Sequence, residues 1–156
     1  MKLTGTLTVP LPPDEAFHLF TARGEEKWVD GWRPRFPVPA EDDTEPGTVF
    51  ETGAHGEATV WVVLAREPGR SISYARVTPG SRAGTVTVAL EPAGKHSEAG
   101  KHSEVTVTYD LTPLTDAAAR ELEEFAAGYP AFLASWGTAI EAWLSTIRPE
   151  GRDHTA

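Results

Sequence analysis

The segment from Thr115 to Arg148 restricts the possible folds of this chain more than any other stretch of its sequence. Apolar residues recur there in steps of three or four, which places them on one side of a helix with a period of 3.6 residues. Thr115 and Asp116 are candidate N-cap residues, and Pro149 directly follows the pattern. The segment therefore predicts one long C-terminal helix whose apolar face covers another layer of the protein.

Two helix-breaking residues, Gly128 and Pro130, lie inside this predicted helix. Proline lacks an amide hydrogen, and its ring clashes with the carbonyl group four residues earlier, so the helical hydrogen bonds are interrupted there. We therefore expect a kink near Tyr129.

The residues from Lys2 to Pro113 are predicted to form strands and turns. Alternating apolar and polar residues between Gly and Pro turns predict about seven strands, whose short links favour antiparallel pairing. The stretch from Gly31 to Val38 contains prolines, which cannot donate to a sheet, so it is an edge strand if it is a strand at all. Asp14 and Glu15 predict the start of a short helix after the first strand, with a further turn following. The expected fold is α+β, a curved antiparallel sheet around the C-terminal helix.

The length of 156 residues suits one domain, expected to span 1–148 and to be followed by a flexible tail at 149–156. The absence of cysteine excludes disulfides and thiolate sites. No apolar run approaches the roughly 20 residues of a membrane span. The stretch from Met1 to Pro10 lacks the features of a signal peptide, so a cytoplasmic location is expected.

The charge and the side-chain inventory restrict the possible ligands. The formal net charge of −9 repels phosphate backbones, so nucleic acid is not an expected partner. No glycine-rich phosphate loop, His-x-x-x-His pair or Gly-x-Ser-x-Gly motif occurs, and we expect neither a cofactor nor a metal. The sequence contains no Asn and no Gln, so other polar side chains or the backbone must orient any ligand.

A tandem duplication separates the last two predicted strands. The six residues from Ala93 to Glu98 are repeated from Ala99 to Glu104. A single polar pair of copies between two strands is typical of an inserted hairpin loop rather than of a solenoid or a metal-binding tract. The role of this duplication stays open.

Five local motifs occur in the order found in a known superfamily. They are Pro13–Phe17, Trp28–Trp32, Gly47–Phe50, Tyr74–Gly80 and Val105–Tyr109. Together with the order of elements, they resemble the SRPBCC superfamily, which includes START lipid-transfer domains, polyketide cyclases and dehydrases, the birch-pollen-allergen type and activators of the heat-shock ATPase. The likeness extends over almost the whole chain, and it is greatest for small bacterial polyketide-cyclase-like members.

This resemblance implies a helix-grip fold with a deep, mostly apolar cavity beneath the long helix. Because strand side chains alternate between the two faces of a sheet, one parity should face that cavity. The predicted ligand-binding residues are Trp32, Phe36, Phe50, Trp61, Tyr74, Arg76, Val88, Val107 and Tyr109 from the sheet side, and Phe125, Tyr129, Leu133 and Trp136 from the helix.

Arg76 is the most informative of these residues because it shares the parity of Tyr74 on a face that is otherwise apolar. A buried guanidinium needs a partner, so Arg76 either anchors a ligand carboxylate, phenolate or enolate, or pairs with a structural acid such as Glu51 or Asp110. Arg76 and Tyr74 are also catalytic candidates. His55, in a Gly-flanked turn, is a third such candidate, although a solvated turn histidine is the simpler interpretation.

Three functions are compatible with this sequence. The first is binding of one hydrophobic or aromatic small molecule in the cavity. The second is an enzyme, a cyclase, dehydratase or aromatase, in which Arg76 stabilises an enolate and a tyrosine moves a proton. The third is a ligand-free interaction module of the chaperone-activator type. The chain is expected to be a monomer or a homodimer.

Overall fold

A computed structural model of the chain describes residues 1–54, 57–94 and 101–147. Its sheet is antiparallel throughout, with the strand order β1-β6-β5-β4-β3-β2. The strands are β1 (Lys2–Val9), β2 (Val49–Ala54), β3 (Glu57–Glu67), β4 (Ser71–Thr78), β5 (Arg82–Pro92) and β6 (Ser103–Pro113). His55, residues 95–100 of the duplication and the predicted tail lie outside the described residues.

The described sheet has six strands rather than the predicted seven or so. In the stretch from Gly31 to Val38, Arg35 alone forms a bridge, exchanging two backbone hydrogen bonds of 2.8 Å with Glu51 of β2. Pro34 and Pro37 have no amide hydrogen to extend this pairing. The prediction that prolines limit this segment to the sheet edge was correct, but the segment does not form a strand.

The helices occupy the predicted regions with one difference. A short helix, α1 (Pro13–Ala16), is followed by two 3-10 turns at Phe17–Phe20 and Gly24–Lys27. The C-terminal region forms two helices, α2 (Asp116–Ala127) and α3 (Tyr129–Ile147), rather than one. The helical stretch is interrupted beside Pro130, where the kink was expected.

The start of α2 has the predicted cap. The Thr115 side-chain oxygen accepts a 3.0 Å hydrogen bond from the amide of Ala118, which satisfies one of the free donors of the first turn. No described helix is long and apolar enough to cross a membrane.

Helix α3 packs across the inner face of the sheet. Leu133 and Ile140 of α3 are buried, and the Tyr129 hydroxyl donates a 2.7 Å hydrogen bond to the carbonyl oxygen of Val107 in β6. Gly5 of β1 lies beneath the same helix, and its lack of a side chain permits a close approach to Leu133. The sheet and the helix thus enclose the apolar core and, at one end, a cavity.

Candidate functional site

A cavity of about 180 Å³ lies between the inner face of the sheet, the 3-10 turn at Gly24–Lys27 and α3. Its walls are mainly aromatic and aliphatic, and they also include the carboxyl group of Glu25 and the guanidinium of Arg76. The lining residues are Glu25, Val29, Trp32, Trp61, Tyr74, Arg76, Val86, Val88, Tyr109, Phe132 and Trp136.

The aromatic wall is held by hydrogen bonds from its own indole groups. Trp61 donates to Thr52 at 3.0 Å and stacks on Phe50 with ring centroids 5.7 Å apart. Trp32 donates to the carbonyl oxygen of Ala22 at 2.7 Å. Because each indole has both a polar partner and ring contacts, the wall is fixed in place without a ligand.

Arg76 extends from β4 into this apolar setting. Its guanidinium carbon lies 5.0 Å from the centre of the Trp61 ring, and its Nη2 donates to the Thr78 hydroxyl at 2.9 Å. The Nε donor is buried and has no hydrogen-bond partner among the described residues. Burial lowers the pKa of the guanidinium, and none of the ion pairs of the described residues includes Arg76.

If Arg76 has a purely structural role, the sequence predicts that it pairs with Glu51 or Asp110. The Glu51 carboxylate forms its ion pair with Arg35 instead. Asp110 also forms no ion pair among the described residues. The guanidinium is therefore available to a group that enters the cavity.

Glu25 faces the same cavity from the 3-10 turn. Burial raises the pKa of its carboxyl group well above the ordinary value, which favours the neutral acid at higher pH than usual. No hydrogen bond or ion pair of the described residues involves this carboxyl group, so it too is available to a ligand.

The two cavity tyrosines differ in their surroundings. The Tyr74 hydroxyl donates a 2.6 Å hydrogen bond to the carbonyl oxygen of Phe20, whereas the Tyr109 hydroxyl has no such bond within the described chain. Burial raises the pKa of Tyr109; Glu25 raises it further, and Arg76 lowers it. The pKa of Tyr109 therefore depends on the ionisation of Glu25 as well as on Arg76.

The predicted site residues divide into two groups. Those lining the cavity are Trp32, Trp61, Tyr74, Arg76, Val88, Tyr109 and Trp136. The other predicted residues belong to the hydrophobic core or pack against that core, and they are Phe36, Phe50, Val107, Phe125, Tyr129 and Leu133. Phe50 and Val107 of this second group have the expected strand parity, but the cavity occupies only one part of the inner face.

Strand parity also places Val86 on the inner face, whereas sequence reasoning missed Glu25, Val29 and Phe132. For Phe132 a signal was present, since it lies one turn before Trp136 and should share its side of the helix. Glu25 and Val29 lie in a short irregular segment with no periodicity, and no local signal distinguishes Glu25 from the exposed Glu26. No group of three or more His, Asp or Glu side chains among the described residues could hold a metal ion.

A wider groove of about 630 Å³ lies on the other side of the same segment. It is formed by residues 26–33 and the last turns of α3, including Trp143. Val29 and Trp32 border both the groove and the cavity, so they separate the two spaces.

Comparison with known proteins places this geometry in context. The family model described as "Polyketide cyclase / dehydrase and lipid transport" matches residues 1–139. No curated protein matches the chain in sequence.

Solved structures share the fold at low sequence identity. A protein from Mesorhizobium loti has a TM-score of 0.63 and 19% identity, with 91% of this chain and 98% of that chain covered. CalU16 from Micromonospora echinospora has a TM-score of 0.60 and 18% identity, with coverage of 96% and 82%. The Aha1 dimer from Colwellia psychrerythraea has a TM-score of 0.61 and 15% identity, with coverage of 90% and 96%. These similarities establish the helix-grip fold and carry no information on a ligand.

Proposed function

Because the chain belongs to the polyketide cyclase/dehydrase and lipid transport family, as its resemblance to the SRPBCC superfamily predicted, we propose that it binds a small hydrophobic or aromatic molecule in the cavity between the sheet and α3. One observation carries this proposal. The apolar walls enclose a buried Arg76 Nε donor that has no partner in the part of the protein that the structure describes. Since buried donors are normally paired, a bound molecule is the natural source of the missing acceptor.

The size of the cavity limits the ligand. Its volume of about 180 Å³ is below the roughly 300–1,000 Å³ of pockets for drug-sized molecules, and smaller than the deep cavity that the resemblance implied. An engineered apolar cavity of about 150 Å³ binds benzene. The ligand therefore has a single aromatic ring or a comparably short chain.

The indole groups offer a direct test of this proposal. Titration with toluene and 4-methylphenol, followed by proton–nitrogen correlation spectra, should shift the indole signals of Trp61 and Trp136 in a saturable manner. Trp143 lines the outer groove and not the cavity, so its indole signal is an internal control. Unchanged spectra with both probes, or shifts confined to Trp143, would refute binding in the cavity.

A second candidate is an enzyme of the cyclase or dehydratase type. Glu25, Arg76 and Tyr109 share one cavity, and a carboxyl group whose pKa is raised works as a base closer to neutral pH. Glu25 would take a proton from a carbon atom next to a carbonyl group, and Arg76 would stabilise the resulting enolate oxygen.

Hydrogen–deuterium exchange distinguishes the two candidates. With acetophenone in D₂O, the enzyme should exchange the methyl hydrogens faster than buffer does, and Glu25→Gln should remove the acceleration. If the methyl hydrogens exchange at the buffer rate while the indole signals of the cavity tryptophans shift in a saturable manner, the protein binds the molecule but does not catalyse this proton transfer.

A further inference from the structure

The polar groups of the cavity are informative about the ligand itself. The Arg76 Nε, the Glu25 carboxyl and the Tyr109 hydroxyl all belong to residues that line one space, and none has a hydrogen-bond partner among the described residues. Each must therefore be matched by a ligand group or by water.

The guanidinium of Arg76 favours an anionic group on the ligand. Its positive charge is partly compensated by the face of Trp61 and by the Coulomb interaction with Glu57, but no carboxylate of the described chain forms an ion pair with it. A carboxylate matches the guanidinium best, because it supplies two acceptors in the plane of the donors.

The carboxyl group of Glu25 favours a neutral hydrogen-bond acceptor on the ligand. A second anion beside a bound carboxylate would be repelled, and burial already disfavours the charged form of Glu25. As the neutral acid, Glu25 has one O–H donor that no described residue engages. An ether or carbonyl oxygen on the ligand would accept that hydrogen bond.

We infer that the ligand is a small aromatic acid with a single ring, bound as the carboxylate to Arg76, whose other side carries an oxygen acceptor for the neutral carboxyl group of Glu25. This inference rests on the proposed binding function and specifies its ligand class. The Tyr109 hydroxyl lines the same cavity without a hydrogen-bond partner among the described residues, so it is a further hydrogen-bonding partner for the carboxylate.

Three probes of similar shape test the inference on the unmodified protein by isothermal titration calorimetry. We expect 4-methoxybenzoate to bind at least tenfold more tightly than 4-methoxybenzamide, which lacks the charge. It should also bind at least threefold more tightly than 4-ethylbenzoate, which lacks the oxygen acceptor. Equal affinities of all three probes would overturn the inference and leave the proposed binding function intact.

Variants then assign each preference to a residue. Arg76→Met should abolish the preference for the anion, whereas Arg70→Met, at a side chain with 79% relative exposure, should retain it. Glu25→Gln keeps a neutral donor and should retain the preference for the methoxy group, whereas Glu25→Leu should lose it. Glu26→Leu, at an exposed neighbour, is the matched control.

The outcomes separate the two levels of the proposal. Failure of toluene, 4-methylphenol and all three calorimetry probes to bind would reject the binding function together with the ligand class. Binding of the neutral probes with no gain for the carboxylate, or an unchanged preference in Arg76→Met, would reject the ligand class alone. Loss of the methoxy preference in Glu25→Gln would reject a neutral donor at Glu25.

Discussion

The Tyr74 hydroxyl donates a 2.6 Å hydrogen bond to the backbone carbonyl oxygen of Phe20. This bond ties β4 to the 3-10 turn at Phe17–Phe20, which immediately precedes the segment that carries Glu25. Because the hydroxyl is occupied and burial raises its pKa well above the ordinary value, we expect Tyr74 to position the cavity wall rather than to transfer protons.

Replacement of Tyr74 by Phe should therefore lower stability. The Phe20 carbonyl group would remain buried without its partner, which costs about 1–3 kcal/mol of the free energy of unfolding. Urea denaturation followed by tryptophan fluorescence measures this loss. Tyr109→Phe is the matched control, since its hydroxyl has no protein partner among the described residues, and it should cost much less. Equal losses in the two variants would contradict the assigned role.

The contact between β1 and α3 depends on a missing side chain. A Cβ atom at Gly5 would lie 2.7 Å from Leu133 Cδ1 and 3.3 Å from Tyr129 Cε2, both of which are in α3. We expect Gly5→Ala to destabilise the protein by about 1–3 kcal/mol, because the buried Leu133 and Tyr129 side chains of α3 must move to admit the methyl group.

Gly137→Ala is the control for this substitution. A Cβ atom at Gly137 would meet nothing within 4 Å, and the residue lies inside α3. The variant should gain up to about 1 kcal/mol, since alanine has the higher helix propensity. Urea denaturation measures the free energy of unfolding of both variants. A Gly5→Ala protein as stable as the parent would contradict the prediction and show that the contact with α3 adjusts without cost.

Local periodicity explains why much of the fold could be predicted. The position of the helical region follows from apolar residues spaced by three or four, and its interruption follows from the chemistry of Pro130. Strand parity brought Trp61, Tyr74, Arg76 and Tyr109 to one face, because side chains alternate strictly along a strand.

The same rule could not define the limits of the cavity. Phe50 has the correct parity, yet it stacks behind Trp61 and belongs to the core. Parity determines the face of a sheet, whereas the extent of a cavity depends on how far each covering element reaches over that face.

Glu25 could not be predicted for a different reason. Its segment is held by indole hydrogen bonds to residues nine and ten positions earlier, from Trp28 to the carbonyl oxygen of Leu19 at 2.8 Å and from Trp32 to that of Ala22 at 2.7 Å. These bonds decide that Glu25 lines the cavity while Glu26 stays exposed. Nothing in two adjacent glutamates encodes that difference.

The buried carboxyl group of Glu25 should leave a signature in the pH dependence of stability. Its pKa in the folded protein is raised above the ordinary value of 4.5 that applies to the unfolded chain. At a pH between these two values the folded state holds a proton that the unfolded state has lost, so the free energy of unfolding falls as pH rises. Below both values Glu25 contributes no pH dependence, and above both values its penalty is constant.

Glu25→Gln removes this titration. Relative to the parent protein, the variant should therefore gain stability as pH rises from 4 towards 8, and the difference between the two should level off above the folded pKa. Thermal unfolding at a series of pH values measures the difference. Glu26→Gln, at an exposed position, should show no such trend, because its carboxyl group stays in water in both states. The contradicting result is a stability difference between Glu25→Gln and the parent that does not depend on pH. It would mean that the Glu25 carboxyl group is as well solvated in the folded protein as in the unfolded chain and is not held as the neutral acid in the cavity.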